Sequence, residues 1–437
     1  MYIKINMTKE EIYCGIDIGS GRVTGVLGKY NPEQEVIEII TGKQLVDREA
    51  ISAGVIKDID RSAALISELI TTLEDTAKVE KPKIVVGVRG VFISTYDTSA
   101  QIPITSTDKT ITLEDREKVI EHAIKNLRIS NDRLIMNIMP QEYIIDGQPG
   151  ISNPVNMEGS ILEVKAHAVV GYSSFIRNIE RTFSEAGYVI DNIHYGLISL
   201  GELVTEPEER NLGCLVIDFS GQSIGIVVYS GGCIRYSKEF HSKEIDLGAD
   251  LITREIAAYY KTSWNIAENL KRRYGTAQPS SVKKDEQIEI PSRDGKNIRI
   301  TTRKELAKII AGVIEHIFLD IILPEFKKIH YIDLALQYGD VILTGGGGNL
   351  CGITEALREL LKSEYTELEE SIDVRAGNIG VESAIVGDEE IISDFSYTTA
   401  ISLIKYEVED QKKSFKKRNQ PKGIKKFIQK IWNLFGE

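Results

Sequence analysis

Two segments of the chain end an apolar strand on an aspartate and continue into a turn of small residues. The first reads YCGIDIGSGRV over residues 13–23, and the second reads GCLVIDFSGQSI over residues 213–224. A second apolar strand follows each turn, so both segments predict a β-hairpin. Carboxylates such as Asp17 and Asp218 can hold waters on magnesium, which keeps most of its hydration shell. Turn glycines leave backbone N–H groups open to phosphate oxygens.

A third glycine segment comes late in the chain. The apolar run 341–344 precedes the four glycines 345–348, and apolar residues at helical spacing follow over 353–361. Strand, glycine loop and helix in this order would let an adenosine or its α-phosphate approach a helix N-terminus. For one turn alone, a hairpin that simply needs glycine is the better explanation. The three segments together predict a site for ATP with magnesium.

Other phosphate-binding motifs do not fit these segments. A dinucleotide-binding GxGxxG motif would need glycine at position 24 or 350, where the chain has Thr24 and Leu350. A GxxxxGK[ST] loop does not occur near any of the three glycine segments. The spacing of about two hundred residues between the first two segments is too long for a solenoid repeat, and it predicts two similar domains.

Several short segments carry a resemblance to a known family. The most diagnostic is PQEYIIDGQ at 140–148, and the others are SAGVIKDI at 52–59, AGY at 186–188, LTGGG at 343–347 and YTTA at 397–400. With these segments the chain resembles the superfamily of actin, sugar kinases and heat-shock ATPases, and within it the FtsA family of bacterial cell-division proteins. The resemblance runs from about residue 12 to residue 406 and resumes at the C-terminal tail.

The resemblance implies an α/β fold with two actin-like lobes. These lobes carry duplicated β-sheet domains, an inserted α+β subdomain, and a C-terminal amphipathic helix on a disordered linker. The expected divisions are 1–82 and 171–205 (first lobe), 83–170 (inserted subdomain), 206–248 (second-lobe core), 249–337 (small partner-binding subdomain of the second lobe), 338–380 (second-lobe core with the adenosine loop), 381–406 (C-terminal helix of the first lobe), 407–421 (linker) and 422–437 (membrane-targeting helix).

The resemblance also implies which residues contact the nucleotide. Phosphate contacts are expected from both turns and adenosine contacts from the glycine loop; the residues are Gly19, Ser20, Gly21, Gly221, Gln222, Ser223, Gly345, Gly346 and Gly347. Glu268 and Lys271 resemble residues of the family helix that flanks adenine and ribose. A solvated Glu-x-x-Lys pair on a helix surface is the alternative for these two.

The second turn departs from the family pattern. Where the family usually has DIGGGTxD, this chain has DFSGQSIG over 218–225, and in the first turn Ser20 and Arg22 replace the usual Thr and Lys. Side chains in place of glycine narrow a phosphate cradle. The stretch 193–200 offers no obvious general base, because His194 and Tyr195 are better interpreted as core or surface residues. We therefore expect at most a slow ATPase.

The C-terminal tail has the pattern of a membrane-surface helix. One helical face carries the apolar residues Ile424, Phe427, Ile428, Ile431, Trp432, Leu434 and Phe435, and the other carries Lys425, Lys426 and Lys430. A helix of this length spans roughly 20 Å, too short to cross a bilayer, so it is expected to lie in the interface of an anionic membrane. A helix packed on the protein's own core and a calmodulin-type target are the alternatives.

Charge and composition limit the other possibilities. Residues 411–437 contain nine basic residues and one acidic residue, which leaves 44 basic and 64 acidic residues elsewhere. An acidic body argues against nucleic-acid binding. The four cysteines are far apart and predict neither a disulfide framework nor a zinc site. No apolar run reaches eighteen residues, and no signal peptide is expected at the N-terminus, so a cytoplasmic location is predicted.

Taken together, the resemblance implies a polymer-forming protein with a role in cell division. It would bind ATP, assemble with itself at the cytoplasmic side of the inner membrane at the division site, and anchor the tubulin-like ring protein FtsZ. The C-terminal peptide of FtsZ is expected near Arg303. A pilus-assembly ATP-binding protein of the same fold and a small-molecule kinase of the superfamily are the alternatives.

Overall fold

A computed structural model describes residues 10–241, 247–283, 286–293, 296–380 and 383–418, with side chains described up to residue 412. Its strands are β1 Glu11–Ile18, β2 Arg22–Asn31, β3 Val36–Val46, β4 Ile51–Ser52, β5 Val55–Ile56, β6 Lys83–Val88, β7 Ile93–Pro103, β8 Arg133–Ile145, β9 Gln148–Ile151, β10 Ile161–Tyr172, β11 Asn192–Tyr195, β12 Cys214–Phe219, β13 Ser223–Ser230, β14 Cys233–His241, β15 Gln287–Pro291, β16 Ile298–Thr302, β17 Val341–Thr344, β18 Val374–Ala376 and β19 Ile385–Gly387.

The α-helices are α1 Ile59–Ala77, α2 Leu113–Asn126, α3 Ser173–Glu185, α4 Gly196–Val204, α5 Pro207–Leu212, α6 Ala249–Tyr260, α7 Trp264–Tyr274, α8 Arg303–Glu315, α9 Leu323–Phe326, α10 Ile332–Tyr338, α11 Ile353–Glu364, α12 Glu389–Ser393 and α13 Thr398–Arg418. A π-helical segment, His316–Ile322, joins α8 to α9. Short 3₁₀ turns cover Pro279–Ser281, Gly346–Asn349 and Thr366–Leu368.

The two main sheets have the same topology. The first-lobe sheet has the strand order β11-β6-β1-β2-β3-β19, and the second-lobe sheet has the order β14-β13-β12-β17-β18. Strand β1 is antiparallel to β2 and parallel to β6, and β12 is likewise antiparallel to β13 and parallel to β17. The duplication predicted from the two aspartate-led hairpins is therefore present in the fold.

Helices cover both faces of the first-lobe sheet, which is why its central strand is apolar on both sides. Helix α1 and helix α3 pack on one face, and helix α13 packs on the other. Gly15 in β1 allows this second packing, because a Cβ there would lie 2.1 Å from the carbonyl oxygen of Ala400 in α13. The absence of a side chain at Gly15 thus allows α13 to lie close to the strand that carries Asp17.

The inserted subdomain is a sheet of order β7-β10-β8-β9 with helix α2 packed on it. A capping box begins α2, since Thr112 accepts from the backbone of Asp115 and the Asp115 side chain accepts from Thr112. Strand β6 pairs with β1 and belongs to the first lobe. The predicted boundary at residue 83 therefore falls one strand too early.

The small subdomain of the second lobe contains α6, α7, the hairpin β15–β16 and α8. Helix α8 begins at Arg303. Its N-cap is Thr302, whose hydroxyl accepts a hydrogen bond from the backbone of Glu305. The helical run continues through the π-helical segment to Phe326.

Helix α13 differs from the prediction of a disordered linker that begins at residue 407. The helix continues to Arg418, and both Glu407 and Val408 are buried. Glu407 accepts a hydrogen bond from Asn192 at 2.7 Å and lies 2.8 Å from a ring nitrogen of His194, so polar partners hold this part of the helix against β11. Residues 419–421 and the predicted membrane helix 422–437 lie outside the described residues.

Within the described part of the chain, no helix combines the length and the apolar character needed to cross a membrane.

Candidate functional site: the cleft between the lobes

The two aspartate-led turns face each other across a cleft between the lobes. They share the same local hydrogen bond, because the N–H of Gly19 donates to the carbonyl of Arg22 (3.0 Å) and the N–H of Ser220 donates to that of Ser223 (3.1 Å). The cleft is lined by Asp17, Gly19, Ser20, Arg22, Thr24, Arg89, Asp218, Ser220, Gly221, Gly345, Gly346, Phe395, Ser396 and Thr399. The topology thus brings together segments separated by more than three hundred residues.

The third glycine segment packs directly on the second turn. Gly345 has a φ of 83°, and a Cβ there would lie 2.1 Å from Oδ1 of Asp218. A Cβ on Gly347 would meet the ring of Phe219 at 2.5 Å. These two glycines are therefore needed for a close approach of the loop to the end of β12, and Gly346 faces the cleft itself.

Sequence reasoning missed one charged residue at the centre of the cleft. Arg89 follows β6 and is only 4% exposed. Its Nη1 lies 2.6 Å from Oδ2 of Asp218 and donates to Oγ of Ser220 at 3.0 Å. Its Nε lies 3.8 Å from Oδ1 of Asp17. Because β6 runs parallel to β1, its end lies at the edge of the sheet where Asp17 also stands.

The two aspartates differ in how well they are paired. Asp218 is fully buried and contacts both Arg89 and Ser220. Oδ1 of Asp17 is buried without a hydrogen-bond partner among the described residues, as are Nε of Arg89 and Oγ1 of Thr344. Burial raises the pKa of Asp17 to about 6, an effect that Arg89 opposes and Asp218 reinforces. Burial lowers the pKa of Arg89, but the neighbouring carboxylates raise it by more, so it lies above its ordinary value.

Polar contacts join the lobes on either side of this ion pair. Oε1 of Gln222 accepts from the N–H of Ala53 at 2.9 Å and from the hydroxyl of Ser52 at 3.3 Å. Nη1 of Arg48 lies 2.8 Å from Oδ2 of Asp250. Between them the cleft encloses a cavity of about 30 Å³. This is room for water molecules and far less than the several hundred Å³ of a typical small-molecule site.

The structure brings some of the predicted nucleotide residues to the cavity and places others elsewhere. Asp17, Gly19, Ser20, Asp218, Gly221, Gly345 and Gly346 line it. The side chain of Gln222 turns across to the first lobe, and the hydroxyl of Ser223 donates to Oε1 of Glu239 at 2.8 Å. Neither Gly21 nor Gly347 is among the lining residues. Whether any of these residues contacts a nucleotide stays a prediction.

Glu268 and Lys271 form a half-buried pair that holds two helices together. Nζ of Lys271 lies 2.8 Å from Oε2 of Glu268 and donates to the hydroxyl of Thr253 at 2.7 Å, which ties α7 to α6. Burial raises the pKa of Glu268, but the Lys271 ammonium and its hydrogen bonds bring it to about 2. The side chains of Glu268 and Lys271 are 24% and 11% exposed, and neither lines the cleft cavity.

The described carboxylates do not fit magnesium in the predicted way. Asp218 is already paired with a guanidinium, and Arg89 stands within 4 Å of Asp17 as well. Among the described residues, no group of three or more His, Cys, Asp or Glu side chains is placed to hold a metal. The exposed backbone of the glycine turns and the positive charge of Arg89 fit an anion such as a phosphate better than a hydrated divalent cation.

Two sheets of the same topology around a shared cleft define an actin-like fold. Solved structures with this fold include the PilM–PilN type IV pilus biogenesis complex (TM-score 0.59, 15% identity, 90% of this chain and 97% of that chain). They also include MreB5 of Spiroplasma citri bound to AMPPNP (TM-score 0.52, 12% identity, 94% of this chain and 99% of that chain). At these identities the likeness concerns the fold alone.

The family follows from the sequence. Residues 90–170 match the SHS2 domain inserted in FtsA, and residues 215–402 match the cell division protein FtsA. The cell division protein FtsA of Escherichia coli (strain K12) is 27% identical over 410 residues, which are 92% of this chain and 91% of that protein. The chain belongs to the FtsA family, and the resemblance predicted from its motifs is confirmed.

Proposed function

We propose that this chain is a membrane-bound, actin-like adaptor of cell division. It binds an adenine nucleotide in the cleft, polymerises with copies of itself at the cytoplasmic side of the inner membrane, and anchors the division protein FtsZ there. The observation that carries the proposal is the SHS2-type subdomain, which is built into an actin-like frame between β6 and β11. That match favours a cell-division protein of the FtsA type over a pilus-assembly protein or a small-molecule kinase.

Nucleotide binding is supported by the backbone of the cleft. Both turns and the loop at Gly345–Gly346 direct glycine backbone toward one cavity, and a solved protein of the same fold is bound to AMPPNP. Magnesium at Asp17 and Asp218 was predicted with the nucleotide. In the described geometry those carboxylates lie beside Arg89, so the nucleotide, and not the metal, is proposed here.

Membrane attachment rests on the residue pattern of the tail. The apolar residues of 424–435 alternate with lysines at helical spacing, and every cationic residue near an anionic surface adds about 1 kcal/mol of attraction. The described part of helix α13 runs to Arg418, so the first twelve residues of the predicted 407–421 linker are helical.

A sedimentation experiment with vesicles tests membrane attachment and recruitment together. Vesicles rich in phosphatidylglycerol are incubated with full-length protein and FtsZ, with a chain that lacks 422–437, and with Trp432→Glu. We expect both proteins to co-sediment only with the full-length wild type. Losing the apolar transfer of one indole costs roughly 1.5–3 kcal/mol, which is about a 10- to 150-fold loss of binding. Binding of Trp432→Glu at the wild-type level would refute the anchor.

The partner site is proposed on the hairpin β15–β16 and the start of α8. Ile298 and Ile300 are 61% and 62% exposed, and Tyr259 beside them is 50% exposed. Nη1 of Arg303 lies 3.2 Å from Oε1 of Glu286, and its Nε donates to the carbonyl of Tyr274 at 2.8 Å. Arg303 therefore holds the start of α8 in place and is not a freely exposed side chain. An apolar strip on a short two-stranded sheet suits an extended peptide.

Titration of the C-terminal FtsZ peptide against two variants tests this surface. Ile300→Glu should weaken peptide binding at least tenfold, because it places a charge in the middle of the apolar strip. Arg303→Glu should also weaken it, through loss of the contacts to Glu286 and Tyr274. Val189→Glu is a matched control, since Val189 is 83% exposed on the first lobe. Unchanged affinity in Ile300→Glu would move the peptide site elsewhere.

A further inference from the structure

The residue at the centre of the cleft is a cation supplied by the protein itself. Arg89 comes from the first lobe and bonds to the second lobe through Asp218 and Ser220, at 2.6 and 3.0 Å. Its Nη2 also lies 3.5 Å from the hydroxyl of Thr399 at the start of α13. One guanidinium thus contacts the end of β12, the second turn and a first-lobe helix, with Asp17 at 3.8 Å.

We propose that Arg89 is the resident cation of this cleft and takes the place that a divalent metal would have between Asp17 and Asp218. The proposal rests on the proposed function only in treating the cleft as the nucleotide site. It adds that the lobes are held closed by a protein side chain, without metal, and that any nucleotide phosphate that enters meets Arg89 instead of a magnesium ion.

The chemistry of the guanidinium suits this position. A planar group with five donors can bond a carboxylate and a hydroxyl in the same plane, which a hydrated metal or a lysine ammonium does less well. A divalent ion placed within about 4 Å of the same guanidinium would meet strong repulsion in a site from which water is largely excluded. Arg89 and magnesium therefore compete for these two carboxylates.

The charges around the cleft agree with this assignment. The carboxylates that face Arg89 are Asp17, Asp218 and Glu239, whose side chains are 12%, 1% and 4% exposed. Oε2 of Glu239 also accepts from the N–H of Gly90, the residue after Arg89, at 3.0 Å. Without Arg89, Asp17 and Asp218 would share a buried site in which Arg22 is the remaining cation of the lining, which is unfavourable unless another cation enters.

Contacts on either side of Arg89 complete the closure. Gln222 reaches Ala53 and Arg48 reaches Asp250, each across the cleft. The two turns also approach each other closely, because a Cβ added to Gly221 would lie 3.4 Å from Cβ of Ser20. The closed cleft is consequently assembled from first-lobe and second-lobe side chains with Arg89 in the middle.

Thermal unfolding of the full chain with magnesium alone tests the proposal. Wild-type protein should show the same Tm with and without 10 mM magnesium at constant ionic strength. Arg89→Ala should unfold roughly 3–5 °C below wild type, since one partner of a buried ion pair is lost. Magnesium should then restore at least half of that loss. Arg89→Lys keeps a cation and should stay insensitive to magnesium.

Two controls separate metal binding from general stabilisation. Arg89→Ala combined with Asp218→Asn should lose the recovery by magnesium. Arg375→Ala removes an ion pair with Glu209 away from the cleft, at 2.7 Å, and its loss of stability should not be recovered by magnesium. If Arg89→Ala does not fold, Mn²⁺ binding to wild type and to Asp218→Asn is measured by electron paramagnetic resonance, with no cleft-dependent binding expected.

The proposal is overturned if magnesium raises the Tm of wild type in a way that Asp218→Asn abolishes, or if wild type binds Mn²⁺ through these carboxylates. It is also overturned if Arg89→Ala is as stable as wild type and insensitive to magnesium. The assay uses no nucleotide, lipid or FtsZ. Its failure would leave the proposed adaptor function standing, and failure of vesicle recruitment would leave the role of Arg89 standing.

Discussion

The two lobes carry the same sheet, yet the turns that follow β1 and β12 are used differently. In the first turn, Oδ1 of Asp17 is buried without a partner, and Gly19 and Ser20 line the cavity. In the second turn, Asp218 is fully paired, and Gln222 leaves the cavity to bond to the first lobe. The same backbone hairpin thus leaves its backbone open to the cavity in one lobe and forms an interlobe contact in the other.

This difference comes from side chains and not from topology. Gly19 and Gly21 leave the first turn without bulk, whereas Ser220 and Gln222 fill equivalent space in the second turn with groups that find partners. A turn whose polar groups already bond to other protein groups binds a ligand less tightly, because the ligand must first replace those bonds. We infer that the first turn and the glycine loop contribute most to phosphate binding.

The largest difference between the two turns is expected when either of the two aspartates is replaced by alanine. Asp218→Ala leaves Arg89 buried without its closest partner and should cost about 3–5 kcal/mol of unfolding free energy. Asp17→Ala removes a carboxylate that is 3.8 Å from Arg89 and lacks a hydrogen bond at Oδ1, so it should cost much less. Urea unfolding followed by circular dichroism measures both. Equal losses would mean that the two turns are equivalent after all.

Features that depend on residues close together in the sequence were predicted, and features that depend on contacts between distant residues were not. The duplicated hairpins and the glycine loop were predicted because each signal lies within about fifteen residues. Arg89 was missed because its partners come from strand pairing and from a residue 129 positions away. No local pattern distinguishes it from a surface arginine.

The C-terminal helix shows the same limitation. Glu407 was taken as the start of a disordered linker, but it is buried by Asn192 and His194, which are more than two hundred residues away. Glu268 and Lys271 were expected beside the nucleotide, with a solvated helix pair as the alternative, and the nucleotide contact stays a prediction. The structure makes them a half-buried contact between α6 and α7, which a sequence pattern cannot separate from a solvated pair.

A second, smaller test uses pH to isolate Asp17. Its pKa is raised from 3.8 to about 6 in the folded protein, so the folded state binds the proton more tightly than the unfolded state does. Between about pH 4 and pH 6 the folded state therefore holds more protons, and the contribution of Asp17 to stability falls as pH rises. Above pH 6 it amounts to a cost of up to about 3 kcal/mol.

The matched variant for this test is Asp17→Asn, which keeps the shape and removes the charge. We expect it to gain stability relative to wild type as pH rises from 4 to 7, measured as the difference between two urea midpoints at each pH. Glu239, whose pKa is lowered to about 2, is present in both proteins, so its opposite pH dependence cancels. A difference that is flat with pH would show that Asp17 is not held in the buried state described here.

The smallest expected effect concerns Gln222, and it distinguishes closure of the cleft from stability of the second lobe. Gln222→Ala removes the acceptor for Ala53 and Ser52, which should cost about 1 kcal/mol. Because this contact joins the lobes, the variant should also populate more open conformations, with a larger radius of gyration in solution scattering and tighter binding of an adenine nucleotide. Ser223→Ala is the matched control, since among the described residues its hydroxyl bonds to Glu239 within the second lobe and Ser223 does not line the cavity. It should lose comparable stability with no change in radius or nucleotide affinity. If Gln222→Ala behaved like Ser223→Ala in all three measurements, the second turn would not act as an interlobe contact, and the contrast between the two turns would be one of sequence only.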